Sequence, residues 1–450
     1  MQERARTADV VLLGSGGAGT AVLHQLALAL AGPSPARGTA PGAARGDVRG
    51  DLRGGGGGPV RVVVVDPLDR LAERPADRTW CSWVERGSTA ETDLAPAVHR
   101  AWDAVHVVAP DGADLPLDLG PLRYAMVRGE DYYAHVADLV ERARERGVLE
   151  VEHLTTSAQG VREDGAGAVV ATGAGEVRAP LVLDSRPAPP VRPATSALVQ
   201  HFLGQRVAVA GGGVDPGRAV LMDFAVPQPP TGLAFGYCLP TDASTALVEH
   251  TAFVPELLDG RAQAAELAAY RERVLGTAEG VVEHSETGAI PMTDAVFTRR
   301  AAPPPGLVRS RVLRLGTAGG AVRPSTGYAF SALQRDARAL ARQVVGGVPG
   351  DRVELGRPYP RRHAWMDALV LRALLAGADG GGLDGPDFFV RLFRRNPPER
   401  VLRFLDGLTG PREELALMAT SPRGPMLRAA AADAASRAVR LADRSGRSAR

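Results

Sequence analysis

Asp9-Val10-Val11-Leu12-Leu13-Gly14-Ser15-Gly16-Gly17-Ala18-Gly19 decides the fold of this chain. Its apolar half reads as a short strand buried on both faces. The glycines that follow are spaced Gly-x-Gly-x-x-Gly, and Thr20 to Ala31 then reads as a helix. In that setting Gly14 permits a tight turn, Gly16 lets the backbone approach a pyrophosphate, and Gly19 lets the helix pack on the strand. The helix N-terminus adds amide donors and a positive dipole. A second buried strand, Val60 to Val65, ends at Asp66, which is placed to accept hydrogen bonds from ribose hydroxyls. That acid lies beyond the usual offset of about 20 residues, because Gly32 to Gly58 intervenes. The intervening segment is rich in Gly, Pro, Ala and Arg and is expected to be a disordered insertion.

Outward from this unit, Arg128 to Arg146 is expected to be a helix, with Tyr132, Tyr133, Val136, Leu139 and Val140 at helical spacing. Val169 to Thr172 and Leu181 to Leu183 read as strands leading to Asp184. Gln200 to Phe253 reads as short strands of an antiparallel sheet. Ala262 to Val274 is an expected helix. Val312 to Leu315 is a buried strand ending at Gly316-Thr-Ala-Gly-Gly320, and Thr326 to Val345 is an expected helix. The chain is expected to be mostly helical from Gly350. This order predicts an α/β fold: a Rossmann-like dinucleotide-binding domain, an inserted antiparallel-sheet domain and a helical C-terminal region. The late glycine turn is where flavoproteins of the hydroxylase type bring backbone close to pyrophosphate and isoalloxazine. A simple nicotinamide dehydrogenase has no need of it, so the two turns together favour a flavin.

Composition removes other classes. A chain of 450 residues holds two or three structural units, and 53 basic against 51 acidic side chains create no strong field for nucleic acid. Every basic residue is arginine, so chemistry that needs a lysine amine, as in a P-loop, a Schiff base or a pyridoxal enzyme, is excluded. Cys81 and Cys238 form neither a disulfide framework nor a zinc pattern; no metal site is expected, and a reducing cytoplasm fits. Met1 to Asp9 lacks the apolar core of a signal peptide, and no run reaches the ~18 uncharged apolar residues of a membrane span.

Leu247-Val248-Glu249-His250-Thr251 places one carboxylate inside an apolar, β-prone run. Buried, it would stay protonated near neutral pH and could act as an acid catalyst. On the solvated face of an alternating strand it would do nothing of the kind.

With these pieces assembled, the chain resembles the flavin-dependent lycopene cyclases of bacteria and plants. The likeness runs in order from Asp9 to about Leu427: the N-terminal glycine turn, Asp77-Arg-Thr-Trp-Cys-Ser-Trp83, Met222-Asp-Phe224, Tyr237-Cys-Leu-Pro240, Leu247-Val-Glu-His-Thr251, Gly288-Ala-Ile-Pro-Met292, Gly316-Thr-Ala-Gly-Gly320 with Pro324-Ser-Thr-Gly-Tyr328, and Arg403-Phe-Leu-Asp406. The resemblance implies lycopene β-cyclase activity in carotenoid biosynthesis, with Glu249 protonating the terminal double bond of a ψ end. It implies FAD, in reduced form, held by Gly14, Gly16, Gly17, Gly19, Asp66, Asp184, Gly316, Gly319 and Gly320, with NAD(P)H as reductant. Pro187 departs from the family's Asp-x-Arg-Gly segment at Asp184-Ser-Arg-Pro187. His250 stands where members commonly carry a second acid; it cannot supply a like charge, so burial must carry more of the protonation of Glu249.

The implied domains are an FAD-binding domain from residues 1–77 (with 32–58 the insertion), 125–187 and 305–348, a substrate domain from 78–124 and 188–304, and a helical region from 349–450. Trp80, Trp83, Phe235 and Tyr237 offer aromatic faces to a carbocation. Lycopene is apolar, so a cytoplasmic protein docked peripherally on a membrane is expected, mainly from the substrate; Phe388-Phe-Val-Arg-Leu-Phe-Arg-Arg395 suits docking at headgroups and equally a helix packed on the core with exposed arginines. A flavin-dependent monooxygenase or reductase of another lipid is the competing enzyme reading; a non-catalytic flavin- or carotenoid-binding protein is the other.

Overall fold

The computed structural model describes residues 6–31, 58–277, 279–377 and 380–448, with side chains through residue 436. Apart from Gly58, the expected disordered insertion lies outside the described residues.

The apolar runs of the first motif become the centre of a five-stranded parallel sheet. Its order is Val312–Arg314, Leu181–Asp184, Val10–Leu13, Val60–Val65, Leu149–Leu154. Alternate side chains of one strand serve two cores, which is why Val10–Leu13 has no polar member. Val10, Leu12, Val62 and Val64 meet helices Gly17–Ala31, Gly129–Glu145 and Phe330–Val345. Val11, Leu13, Val63 and Val65 meet a small sheet containing Ala168, Val170 and Val177.

The second body is a seven-stranded sheet. Its order is Val281–Thr293, Ala197–Ala208, Thr245–Val254, Leu233–Pro240, Val220–Asp223, Ala104–Val108, Asp114–Asp118. One face packs on helix Gly260–Leu275 through Val248, Cys238 and Tyr270. The other meets the C-terminal helices Arg361–Ala376, Gly385–Arg395 and Pro398–Leu405 through Phe235, Phe253, Leu369 and Phe389. A three-stranded sheet, Thr79–Glu85, Leu122–Arg128 and Arg100–Trp102, joins the two bodies.

Two expectations need correction. The helix expected from Thr326 starts at Phe330. Gly327 has φ +71, its amide donates to the Arg323 carbonyl at 2.9 Å, and this left-handed turn cannot propagate a helix. The aromatic side chains of Phe388 to Arg395 are not offered to a headgroup surface: Phe388, Phe389 and Phe393 are buried in the core, while Arg394 and Arg395 are exposed. An amphipathic stripe of that kind packs equally well on protein.

The segment after the second glycine turn is anchored from within. Arg323 is fully buried, donates to Asp367 Oδ1 at 2.7 Å and to the Phe404 carbonyl, and lies over the Phe404 ring at 4.7 Å. Ser325 Oγ donates to the same Asp367 oxygen at 2.6 Å. A buried charge so paired fixes the loop against helices Arg361–Ala376 and Pro398–Leu405, since moving it would strand a desolvated guanidinium.

Candidate active site

Glu249 lies on strand Thr245–Val254, directly opposite Tyr237 on one neighbour and Gly204 on the other. Alternation puts Leu247, Glu249 and Thr251 on one face, and Val248, His250 and Ala252 on the face toward helix Gly260–Leu275. The Glu249 face borders a cavity of ≈ 350 Å³ lined by Trp80, Tyr124, Phe202, Tyr237, Tyr328 and Phe330. Glu249 retains partial exposure because it lines this cavity, although protein surrounds its carboxyl group.

Burial pushes the Glu249 carboxyl up to about 8, because an apolar surrounding disfavours its charged form; the charge of Glu286 raises it further and the Thr251 hydroxyl opposes the shift. Thr251 Oγ1 donates to Glu249 Oε1 at 2.5 Å. His250, on the other face, is held down at about 4 by burial and by His201, and plays no part in the cavity.

Glu286 is the site residue that the sequence reading missed. It sits on strand Val281–Thr293, two strands from Glu249, and both residues pair with Gly204 between them. A Cβ added at Gly204 would lie 3.2 Å from Glu249 Oε2 and 3.4 Å from Glu286 Cγ. The like charge absent at position 250 is therefore present, brought by sheet register from far along the chain. Its one local signal is its place two residues before Gly288-Ala-Ile-Pro-Met292.

The aromatic expectations divide. Trp80 and Tyr237 line the cavity. Trp80 stacks on Phe330 (5.4 Å, 19°), and Tyr237 lies with its hydroxyl 3.5 Å from that of Tyr328. Trp83 stacks instead on Tyr124 at 4.6 Å, and Phe235 packs against Phe224 and Phe253 in the core.

The glycine turns converge beside this cavity. Gly14, at φ +90, is held by its amide to the Val65 carbonyl. A Cβ at Gly19 would lie 2.1 Å from the Gly14 carbonyl, so Gly19 is a packing requirement, whereas a Cβ at Gly16 would meet nothing within 4 Å. A Cβ at Gly17 would lie 3.2 Å from Trp80, and one at Gly316 would lie 3.3 Å from Ala18. The second turn is thus packed on the first. A larger cavity of ≈ 810 Å³ borders Gly319 and Gly320 and shares Pro291, Thr317 and Val322 with the Glu249 cavity.

The open space at Gly16, the helix N-terminus at Gly17 and the second turn make one cradle that fits an elongated dinucleotide. Asp66 accepts hydrogen bonds from Ser15 N (2.7 Å) and Leu68 N (2.9 Å) and pairs with Arg70 (3.2 Å), so it also shapes the first turn. Asp184 binds the Arg186 guanidinium at 2.8 Å, and its carbonyl accepts from Leu315 N, which links the strands that carry the two turns. Among the described residues no His, Cys, Asp and Glu group could hold a metal, and no helix is long and apolar enough to cross a membrane.

Comparison with known proteins places this geometry. The family described as lycopene cyclase protein matches residues 56–431, a span that holds Glu249, Glu286 and the second turn but begins after the first. No curated protein matches the chain significantly. Similar solved structures include a geranylgeranyl bacteriochlorophyll reductase-like protein from Thermoplasma acidophilum, with 14% identity and a TM-score of 0.58 over 94% of this chain and 98% of that one. A flavoprotein/dehydrogenase from Cytophaga hutchinsonii has 12% identity and a TM-score of 0.54 over 92% and 96%. The p-nitrophenol 4-monooxygenase of Pseudomonas putida DLL-E4 has 14% identity and a TM-score of 0.51 over 94% and 96%. At such identities the likeness shows a shared fold.

Proposed function

Since this chain belongs to the lycopene cyclase family, we propose that it closes the ψ end groups of lycopene or a related carotenoid to β rings, with Glu249 as the acid. The observation that carries this reading is a carboxyl group held up to about 8 in an aromatic-lined cavity beside the converging glycine turns. FAD fits the two-turn cradle, and when bound in reduced, anionic form it supplies negative charge beside the cavity, NAD(P)H serving only to reduce it.

The chain's own groups account for the rest. The Thr251 hydroxyl occupies Glu249 Oε1 as donor, which leaves the acid proton to Oε2. Transfer of that proton to the terminal alkene makes a tertiary carbocation. Attack by the neighbouring double bond closes the six-membered ring, and loss of one proton restores neutrality, so no electrons are exchanged overall. Trp80, Tyr237, Tyr124 and Phe330 exclude water and present π faces to the cation. The substrate's insolubility places the working enzyme peripherally at the cytoplasmic face of a membrane.

The acid form of Glu249 is the reactive one and predominates below about 8. Cyclisation by the FAD-loaded protein, followed by pigment chromatography, is therefore expected to be full near neutral pH and to fall as pH rises through about 8. A rate that climbs over that interval contradicts the assignment.

A further inference from the structure

The cavity contains two carboxyl groups, and the reaction as proposed uses one. Gly204 pairs in register with both, so Glu249 and Glu286 project from the same face of the sheet, with only a glycine between them. The missing Cβ leaves the space between the two side chains open. Resting on the reading of Glu249 as the acid, we infer that Glu286 is its positioning residue: the two carboxyl groups share one proton across Gly204, and Glu286 carries the charge so that Glu249 keeps the proton.

The surroundings of the two groups break the tie. Glu286 receives hydrogen bonds from the side chain and backbone amide of Thr79 and faces the Arg78 guanidinium, all of which favour its ionised form. Glu130, at the start of helix Gly129–Glu145, opposes that form, but Glu130 is itself paired with Arg206 at 3.0 Å. Glu249 has one hydroxyl donor, Thr251, on its own strand. The other groups acting around it are Tyr237 from the adjacent strand, Tyr328 from the loop after the second turn and Cys81 from strand Thr79–Glu85, all neutral near pH 7. Burial raises both carboxyl groups, to about 8 for Glu249 and about 7 for Glu286, in the order that the donors require. Paired carboxyls whose environments differ in this way divide into a proton holder and a charge holder.

The test follows Glu249 itself. Carboxyl bands in the infrared spectrum of the FAD-loaded protein, assigned by difference against Glu249→Gln, are titrated in wild type, Glu286→Gln and Glu286→Asp, alongside cyclisation against pH. Removing the like charge lets Glu249 ionise more easily. Glu286→Gln is therefore expected to lower both the Glu249 titration and the alkaline limb of activity by about one pH unit. Glu286→Asp, whose charge sits one methylene farther away, lowers both by less; it carries the test alone if the glutamine variant does not fold. An unchanged Glu249 titration in these variants overturns the partnership. If Glu249→Gln still cyclises, the fault lies in the reading of Glu249; if it does not and the Glu286 variants titrate as wild type, only the partnership fails.

Discussion

Glu249→Gln is expected to abolish ring formation while the protein still folds, binds FAD and takes up lycopene. The amide keeps the shape of the carboxyl group and can accept from Thr251 as Oε1 does now. What it lacks is an acidic proton. General-acid catalysis contributes about 10²–10⁴-fold in ordinary cases, and protonating an unactivated alkene leans on it harder, so the product should fall below detection. Glu249→Asp should lose about 10²-fold, because one methylene withdraws the proton by about 1 Å. Pigment extracts from lycopene-accumulating cells, separated by chromatography, give the result directly. Wild-type amounts of β rings from Glu249→Gln would remove this residue as the acid and turn attention to Asp223, the buried carboxylate whose ion pair is Arg273 at 3.1 Å.

Gly16→Val should empty the protein of flavin without unfolding it. Gly16 does not occupy a left-handed conformation, and a Cβ there meets no protein atom within 4 Å, so the branched side chain fits the fold. It projects into the space a pyrophosphate needs. Flavin affinity should fall by at least about an order of magnitude, equivalent to about 1.4 kcal/mol, with the thermal transition of the flavin-free protein unchanged. Gly19→Ala is the contrasting case, since its Cβ collides with the Gly14 carbonyl and the defect appears in folding itself. Full flavin occupancy in Gly16→Val would show that the first turn does not hold the dinucleotide.

The architecture was legible because the apolar runs at Val10–Leu13 and Val60–Val65 admit one role, a parallel strand clothed on both faces. Local patterns fared worse where the deciding partner lies elsewhere. Glu249 sits in a run whose two faces are almost equally apolar, so the chain alone left open whether its face is solvated. That face is covered by Trp80 and by Tyr328 and Phe330, which arrive from two other parts of the chain. Glu286 was invisible for the same reason, since its meaning comes from register through Gly204, and strand register is a property of the sheet. Phe388 to Phe393 illustrate the reverse: the amphipathic stripe was plain, but a stripe does not say whether it meets lipid or protein, and here it meets the sheet.

The measurement that bears most directly on a non-redox, acid-initiated cyclisation is turnover in heavy water without oxygen. Purified protein loaded with reduced FAD is supplied with lycopene in lipid vesicles under anaerobic conditions in D2O, and the product is weighed by mass spectrometry. Glu249 exchanges its proton with solvent, so each β ring should carry one deuteron at the carbon that was protonated, and ring formation should proceed without oxygen. Rings formed without deuterium, or a product that appears only with oxygen and carries an oxygen atom, would contradict the account.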